Sequence, residues 1–496
     1  MKTFIINLFL LPALIAGLGL IMVGRVTAQT FTTLHSFTAL SGITNSDGEL
    51  PLAGLIVSGN TLYGTANNGG SSDNGTVFRV NTDGSSFTNL HSFTAFVSNR
   101  DGADPRASLL ISGTNLYGTT YDGGSSECGT VFRVNTDGTV FTNLHTFPLV
   151  SGPYPTTNSE GAFPLAGLVL SGNTLYGTGA DGGTNGSGTV FALNIDGTGF
   201  TNLHTFTARS GPLATNSDGA YPQTVLLLVG VSLYGTTYSG GTNGTGAVFA
   251  LNTNGTGFTN LHYFAAISGP LATNGDGANP MGGLIISGNT LYGTAPNGGT
   301  NGAGTVFALN INGTSFANLH NFTARSGPSS TNGDGAYPTG PLVLSGGTLY
   351  GMAGGGGTNG TGTMFALNTD GTRFTNLYNF TAEDPITGTN RDGAFPNGGL
   401  ILSGKTLYGT ASRGGNSFNG TVFSLSLAPQ LAIMLSGINV ILTWPANFTG
   451  FTLQSTTNLV SPVVWSTVSP GPVVVNGQYA VTNSTSGTNK FYQLSQ

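Results

Sequence analysis

Seven acidic side chains recur in one repeated pattern, each directly before a glycine. A ring of carboxylates would offer the oxygen ligands that calcium or a polyol takes, and calcium is the one cofactor that the pattern admits. The alternative is turn chemistry, in which the acid of Asn-x-Asp-Gly bonds its own backbone. Sevenfold recurrence favours the turn, and the spacing falls short of the twelve-residue calcium loop. The candidate binding residues are Asp47, Asp101, Glu160, Asp218, Asp276, Asp334 and Asp392.

The histidines all lie in a second repeated motif, Phe-Thr-Asn-Leu-His-x-Phe or a close variant. A catalytic base or a metal site would need a histidine beside other ligands in one cluster. These histidines are a whole repeat apart, so we predict structural histidines and neither a metal site nor catalytic residues. They are His35, His91, His145, His204, His262 and His320, with Tyr378 in the seventh place.

Charges that break the repeat are better candidates for a unique activity. No pair among them has a spacing that specifies a reaction, and the sequence has no nucleophile elbow or phosphate loop. The lone Cys128 is interpreted as a small residue in a variable loop rather than a reactive thiol. The irregular charges are Asp104 with Arg106, Glu127, Glu383 with Asp384, Arg391 and Arg413.

All these residues lie within seven copies of one repeated unit. Such a repeat is the main indication of the fold class. The tripeptide Leu-Tyr-Gly recurs at spacings of 54, 59 and then four times 58 residues. Its tyrosines number repeats 1 to 7: Tyr63, Tyr117, Tyr176, Tyr234, Tyr292, Tyr350 and Tyr408.

Each repeat is predicted to hold four short strands joined by Asn- and Gly-containing turns. In repeat 3 the strands are 167–170, 174–178, 189–194 and 200–206. Strict alternation in the fourth strand would place four side chains on one face. These are Phe200, Asn202, His204 and Phe206.

The ends of the array predict a closed ring. The chain opens on a fourth-strand motif at Phe31, and repeat 7 stops after its third strand at 421–423. The first strand can therefore complete the last sheet, which removes the open sheet edges. We predict an all-β fold, a seven-bladed β-propeller over residues 29–427. An open β-solenoid is the alternative, but it would want polar caps that the sequence does not show.

Loop lengths single out one end of the sheets. The connections from strand two to three and from strand four to the next strand one are long, whereas the other two are tight turns. We call the two ends the long-loop end and the short-turn end. Long loops on a rigid scaffold commonly carry function, so the long-loop end is the predicted binding face.

The N-terminus and the composition bear on location and partners. An apolar run from Phe4 to Val23 precedes Val-Thr-Ala, which predicts a signal peptide over residues 1–28 with cleavage after Ala28. Retention of this run as an anchor is the alternative, and no other membrane span is predicted. The net charge is -6 and no basic run occurs, so nucleic acid is excluded as a partner. We expect a secreted or cell-surface monomer.

Composition changes after Leu427, where both tryptophans occur. Residues 428–496 are predicted to form a small β-sandwich-like module for attachment, sorting or carbohydrate binding. An exposed Trp444 or Trp465 would favour sugar binding, whereas a buried one belongs to a core.

The repeat Ser-Gly-x-Thr-Leu-Tyr-Gly-Thr-Ala, Gly-Thr-Val-Phe-x-Leu-Asn-x-Asp-Gly and Phe-x-x-Leu-His-x-Phe resembles the GloVer tandem repeat over residues 31–427. That repeat occurs in exported bacterial "choice-of-anchor" proteins with varied C-terminal segments. The tail, with Leu-Thr-Trp-Pro and Phe-Tyr-Gln-Leu, is similar to a C-terminal module of exported Verrucomicrobia proteins. The resemblance implies export and surface attachment, and it brings no catalytic residues.

The sequence therefore predicts a non-catalytic extracellular scaffold with a carbohydrate or protein ligand. The alternative is a propeller enzyme, a lyase or glycosidase acting on extracellular polysaccharide. An enzyme would need acids and bases that break the sevenfold pattern and converge near the centre of the ring.

Overall fold

The computed structural model describes residues 30–94, 100–152, 155–427, 431–445, 451–459, 463–475, 477–484 and 490–495. The predicted signal peptide, residues 1–28, lies outside them. The described backbone is strand, turn and loop with one 3₁₀ turn at Gly70–Ser72, so the chain is all-β as predicted. No helix in the described part of the chain is long and apolar enough to cross a membrane.

The first strand stands before repeat 1, and repeats 1 to 3 each form a four-stranded antiparallel meander. The first strand is β1 (Phe31–Ser36). Repeat 1 holds β2 (Ile56–Ser58), β3 (Thr61–Ala66), β4 (Thr76–Asn81) and β5 (Thr88–Ser92). Repeat 2 holds β6 (Leu110–Ser112), β7 (Asn115–Thr120), β8 (Thr130–Asn135) and β9 (Phe141–Thr146). Repeat 3 holds β10 (Val169–Ser171), β11 (Thr174–Gly179), β12 (Thr189–Asn194) and β13 (Thr201–Thr205).

Repeats 4 to 6 form three more such meanders. Repeat 4 holds β14 (Leu227–Val229), β15 (Ser232–Thr237), β16 (Ala247–Asn252) and β17 (Thr259–Tyr263). Repeat 5 holds β18 (Ile285–Ser287), β19 (Thr290–Ala295), β20 (Thr305–Asn310) and β21 (Ala317–Asn321). Repeat 6 holds β22 (Val343–Ser345), β23 (Thr348–Ala353), β24 (Thr363–Asn368) and β25 (Thr375–Asn379).

The sheet of repeat 7 combines the two ends of the array. It holds β26 (Ile401–Ser403), β27 (Thr406–Ala411) and β28 (Thr421–Ser426), and its fourth strand is β1. The Asn416 N–H donates to Ser36 Oγ at 2.8 Å across a separation of 380 residues. The N-terminal strand thus takes the fourth-strand place that repeat 7 leaves empty.

The fourth strand carries a β-bulge that the alternation pattern did not predict. In repeat 3, Val190 pairs with His204 and Phe191 pairs with Asn202, so the register shifts at Leu203. Neighbouring residues of one strand face opposite sides, and the bulge therefore turns Asn202 and His204 to opposite faces. The prediction of one shared face for these side chains was wrong, because an extra residue resets the alternation.

The core lies between successive sheets. Tyr176 and Val190 of repeat 3 pack with Leu226 and Leu233 of repeat 4, and the same pattern joins other neighbours. The glycine of Leu-Tyr-Gly makes room for a core aromatic: a Cβ on Gly235 would lie 2.6 Å from the Phe249 ring. Any larger residue there would displace that ring.

One core cluster joins the last repeat to the first. Phe37, next to β1, and Val422 of repeat 7 pack with Leu62 and Phe78 of repeat 1. The Thr410 hydroxyl donates to the backbone carbonyl of Ala53 at 2.8 Å. Repeat 7 therefore contacts repeat 1 through buried groups, as any two successive repeats do.

The chain divides into two compact units. The larger comprises Thr32–Ser403 and Leu407–Ser424. The smaller contains the described residues of Leu425–Gln496 together with Gly404–Thr406.

The smaller unit has two sheets of its own. One has the order β29 (Ala432–Ser436), β30 (Asn439–Pro445), β34 (Gln478–Ser484) and β33 (Val473–Val475). The other has the order β32 (Ser466–Thr467), β31 (Thr452–Thr456) and β35 (Phe491–Ser495). Trp444 is fully buried in a cluster with Leu453, Val481 and Tyr492, so this tryptophan belongs to a core.

Candidate functional site

Each acid that the sequence singled out is held by the fourth strand of the preceding repeat. In repeat 3, His204 Nε2 lies 3.0 Å from Asp218 Oδ2. The Thr207 N–H donates to both carboxylate oxygens at 3.1 Å, and the Thr207 hydroxyl donates to Oδ1. The His204 ring also stacks on Phe258 of repeat 4, with centroids 3.8 Å apart. We call this arrangement the His–carboxylate latch.

The His–acid pair of the latch recurs along the array. The other His–acid distances are 2.8 to 2.9 Å, and each histidine stacks on the phenylalanine that opens the next fourth-strand motif. In repeat 6 the Tyr378 hydroxyl donates to Asp392 at 2.6 Å. The remaining pairs are His35–Asp47, His91–Asp101, His145–Glu160, His262–Asp276 and His320–Asp334.

Burial and hydrogen bonding set the ionisation of the latches. Burial raises the pKa of Asp47, but hydrogen bonds from His35 and Thr38 outweigh it and hold that pKa below its usual value. The same balance lowers the pKa of Asp101 and of Asp334. These three acids are therefore ionised acceptors at neutral pH.

The asparagine two residues before the acid carries the turn chemistry. Asn216 Oδ1 accepts the N–H groups of Gly219 and Gly241, and its Nδ2 donates to the Thr207 carbonyl. The acid bonds the fourth strand instead of its own turn. The expected hydrogen bond from the acid to its own turn is therefore replaced by hydrogen bonds from His204 and Thr207.

Repeat 2 departs from this pattern in two linked ways. Pro148 stands where repeat 3 has Thr207, and a proline has no N–H to donate. The acid that follows is Glu160, whose longer side chain reaches His145 at 2.9 Å and is 32% exposed. Burial lowers the pKa of His145, and Glu160 opposes that effect.

The predicted binding acids thus lie apart, each beside its own histidine or tyrosine. Asp47, Asp218, Asp334 and Asp392 are buried as well. Within the described ranges, no three His, Cys, Asp or Glu side chains are grouped so that they could hold a metal ion. Each histidine thus has an acid as its partner, and the irregular side chains lie outside the latches.

A group of irregular side chains gathers at the long-loop end of repeats 2 and 3. The Arg106 guanidinium lies 4.2 Å from the Tyr121 ring centroid and 3.4 Å from Asp104 Oδ2. Burial raises the pKa of Tyr121, the charges of Asp122, Asp181 and Asp104 raise it further, and Arg106 lowers it. We call these five residues the Tyr121 group.

The backbone holds this group in place. Asp104 has a left-handed φ of 55°, and its carbonyl accepts the Tyr121 N–H at 3.0 Å. Asp122 pairs with Ala103, and Asp181 occupies the same place in repeat 3, where it pairs with Ala162. The Phe163 ring of repeat 3 lies 5.2 Å from the Tyr121 ring.

Two acids of the group hold protons unusually well. Burial, with Asp104 nearby, raises the pKa of Asp122 to about 6. Burial raises the pKa of Asp181 to about 6 as well, and Arg209 opposes that rise. Both acids therefore change charge in mildly acidic solution, whereas the pKa values of Asp47, Asp101 and Asp334 are lowered.

The other irregular charges do not join one cluster with this group. Asp384 is exposed and accepts backbone N–H groups of its own turn at Ile386 and Thr387. Burial raises the pKa of Glu383, with Arg413 as its electrostatic neighbour. Three of the predicted charges act on the pKa of Asp122: Asp104 and Glu127 raise it, and Arg106 lowers it.

Reasoning from the sequence missed Tyr121, Asp122 and Asp181. The signal was present: the two residues after Leu-Tyr-Gly-x-x vary between repeats, and Asp stands second only in repeats 2 and 3. Cys128 is buried in the core between repeats 2 and 3, and burial raises its thiol pKa. It is therefore a core residue.

Comparison with known proteins identifies the repeat. The chain matches the family described as the Gloeobacter/Verrucomicrobia repeat over residues 17–159, 156–329 and 271–450. No curated protein matches the chain.

Solved structures give likeness in fold alone. An oligogalacturonate lyase of Vibrio parahaemolyticus is 9% identical over 80% of this chain and 97% of its own, with a TM-score of 0.46. A GH74 enzyme of Niastella koreensis is 14% identical over 86% of this chain and 60% of its own, with a TM-score of 0.43. TolB of Acinetobacter baumannii is 13% identical over 69% of this chain and 67% of its own, with a TM-score of 0.36. Likeness at this level says nothing about activity.

Proposed function

The chain belongs to the Gloeobacter/Verrucomicrobia repeat family, and we propose that it is an exported scaffold that binds a carbohydrate or protein ligand without catalysis. In this proposal the seven sheets are blades of a β-propeller that β1 closes. Residues 428–496 form a sandwich-like module that attaches or sorts the protein.

Support for closure comes from the two ends of the array. β1 lies in the sheet of β26, β27 and β28, and Phe37 packs against Phe78 with centroids 5.4 Å apart. A ring closed in this way leaves no sheet edge open to other chains. Removing residues 29–37 is expected to expose such an edge and cause aggregation, which size-exclusion chromatography measures.

One observation carries the scaffold proposal: each recurring histidine, and Tyr378 in repeat 6, is bound to the acid that precedes a glycine in the following loop. A histidine and a carboxylate locked in a latch give the repeats a fixed frame and leave no free base or acid in it. The Tyr121 group stands outside this frame at the long-loop end. We assign the ligand contact to that group.

The test uses the mature chain, residues 29–496, on an array of extracellular glycans and proteins. Tyr121→Ala is expected to lower affinity for the captured ligand at least tenfold, because it removes the ring that Arg106 and Phe163 contact. Tyr238→Ala is the matched control, since Tyr238 has the same backbone place in repeat 4 beside Ser239. Equal losses in both variants, or no captured ligand, would overturn this assignment.

Export and attachment have their own test. Expression of the full chain in a bacterial host should yield a cell-surface or medium fraction whose N-terminus is Gln29. Deletion of residues 428–496 should move protein from the surface to the medium. An uncleaved chain in the cytoplasm contradicts the proposal.

A second candidate is an enzyme that acts on extracellular polysaccharide. It is favoured by Asp122 and Asp181, because a carboxyl group with a pKa near 6 can serve as a general acid at neutral pH. Release of reducing ends or unsaturated sugars, lost in both Asp122→Asn and Asp181→Asn, would favour the enzyme over the scaffold.

A further inference from the structure

A cleft of about 450 Å³ opens at the short-turn end between repeats 4 and 5. This is the end of the sheets opposite to the Tyr121 group, since the lining comes from the start of β15, the end of β16 and the start of β17. The turn of repeat 5 that follows β20 forms the other wall. Its size lies in the range of about 300–1,000 Å³ that is usual for ligand sites.

The lining is polar and carries no charged side chain. Its polar side chains include Ser232, Tyr234, Asn252, Thr259 and Asn312, and Ala250 also lines the cleft. A site of this composition has no charged side chain to pair with an ion, and it offers many hydrogen bonds to a neutral molecule. Hydroxyl and amide groups are the partners that the hydroxyls of a sugar take.

Three hydroxyls in the cleft are free to bind. Within the described residues, those of Ser232, Tyr234 and Thr259 have no hydrogen-bond partner, whereas the threonines that match Thr259 in repeats 3 and 6 do. The Thr201 hydroxyl donates to the Gly199 carbonyl and that of Thr375 to the Arg373 carbonyl, both at 3.3 Å. The free hydroxyls supply donors and acceptors that a ligand would satisfy.

Comparison with repeat 1 shows what keeps the cleft open. Ala250 pairs with Tyr234, and the residue that pairs with Tyr63 in repeat 1 is Arg79. The Arg79 guanidinium reaches across to the Thr136 carbonyl of repeat 2 at 3.5 Å and so crosses the corresponding space. The small side chain of Ala250 therefore leaves free the space that Arg79 crosses in repeat 1, and Ala192 and Ala308 stand at the same position in repeats 3 and 5.

We propose that the cleft between repeats 4 and 5 is a binding site for a neutral saccharide. The site is separate from the Tyr121 group, so it goes beyond the proposed function and does not depend on the ligand of that group. Stacked sheets hold both walls, which makes the cleft preformed.

The experiment measures binding by isothermal calorimetry to maltohexaose, cellohexaose, xylohexaose and laminarihexaose, with hexagalacturonate as the charged comparator. Wild-type chain is expected to bind at least one neutral hexasaccharide more tightly than hexagalacturonate. Ala250→Arg, which copies Arg79 of repeat 1, is expected to weaken that binding at least tenfold.

Ala366→Arg is the matched control. Ala366 pairs with Tyr350 in the same register, but repeat 7 leaves its sheet after β28 and has no strand-three-to-four turn to form a second wall. The affinity of the Ala366→Arg variant for the neutral hexasaccharide should stay within twofold of the wild-type value. Tyr234→Phe removes a hydroxyl that has no protein partner among the described residues, so it should weaken binding about threefold without lowering the melting temperature.

Three results overturn the proposal: no neutral hexasaccharide binds, Ala250→Arg binds as wild type does, or both arginine variants lose affinity equally. If Tyr121→Ala abolishes binding and Ala250→Arg does not, the long-loop site stands and the cleft proposal fails. The reverse outcome supports the cleft and leaves the Tyr121 assignment to its own test on the glycan and protein array.

Discussion

Repeats 2 and 4 share a backbone and differ in what they display on it. Tyr121 and Tyr238 each donate an N–H at 3.0 Å to the carbonyl of a left-handed residue, Asp104 in one case and Tyr221 in the other. Beside Tyr121 stands Asp122, and beside Tyr238 stands Ser239. Latches and backbone pairs therefore fix the frame, while the positions between them are free to acquire a function.

Breaking the frame should have the largest effect. Asp218→Ala removes the acceptor of His204 and of the Thr207 N–H and hydroxyl, and it leaves them unpaired beside the core. We expect a loss of about 2–3 kcal/mol in the free energy of unfolding, measured by guanidinium titration.

Glu160→Ala makes the same change to the latch of repeat 2. It should lower the free energy of unfolding by less than half as much as Asp218→Ala does. Glu160 is more exposed and Pro148 offers no N–H, so fewer groups lose a partner. A larger loss for Glu160→Ala than for Asp218→Ala would show that the latch geometry does not govern stability.

Replacing a histidine of a latch with tyrosine should have a moderate effect on the free energy of unfolding. His320→Tyr copies Tyr378, which donates to Asp392 at 2.6 Å from the same place in repeat 6. We expect a loss below about 1 kcal/mol, against about 2 kcal/mol for His320→Ala, which leaves Asp334 without its ring partner. Thermal unfolding of the three chains measures the difference, and equal losses would contradict it.

The smallest expected change in stability is that of a substitution in the Tyr121 group, and this change depends on pH. The folded-state pKa of Asp122 is raised to about 6, so ionisation disfavours the folded state, and stability falls as pH rises from about 4 through about 6. Asp122→Asn removes this penalty. The melting temperature should therefore rise by about 2 °C at pH 7.5 and stay unchanged at pH 4.

Asp196→Asn serves as the control, because Asp196 lies exposed in a turn and its pKa is lowered by hydrogen bonds from Thr198. It should not gain stability at pH 7.5. A gain at pH 4 for Asp122→Asn would contradict the assigned pKa direction.

The sequence predicted what repetition and turn chemistry determine. The strands of repeat 3 were expected at 174–178 and 189–194 and occur at Thr174–Gly179 and Thr189–Asn194. The fourth-strand bulge at Leu203 was not predicted, because alternation counts residues and an inserted one leaves no signal in residue type.

The candidate site was harder to predict than the fold. His204 and Asp218 are 14 residues apart, and only folding of the loop brings them into contact. The Tyr121 group combines residues of two repeats whose approach depends on how neighbouring sheets pack. Asp104 and Arg106 were noticed because they break the repeat, and Asp122 would have been found by aligning the repeats with one another.

The position of β1 also determines when the fold can be completed. β1 is the first strand of the array to be synthesised, and its partner β28 is the last, with Asn419 bonding Thr38 across 381 residues. The strand must remain unpaired, and protected from other chains, until seven repeats have emerged. We therefore expect completion of the last sheet to be a late event, which a chain that stops before Thr421 cannot reach.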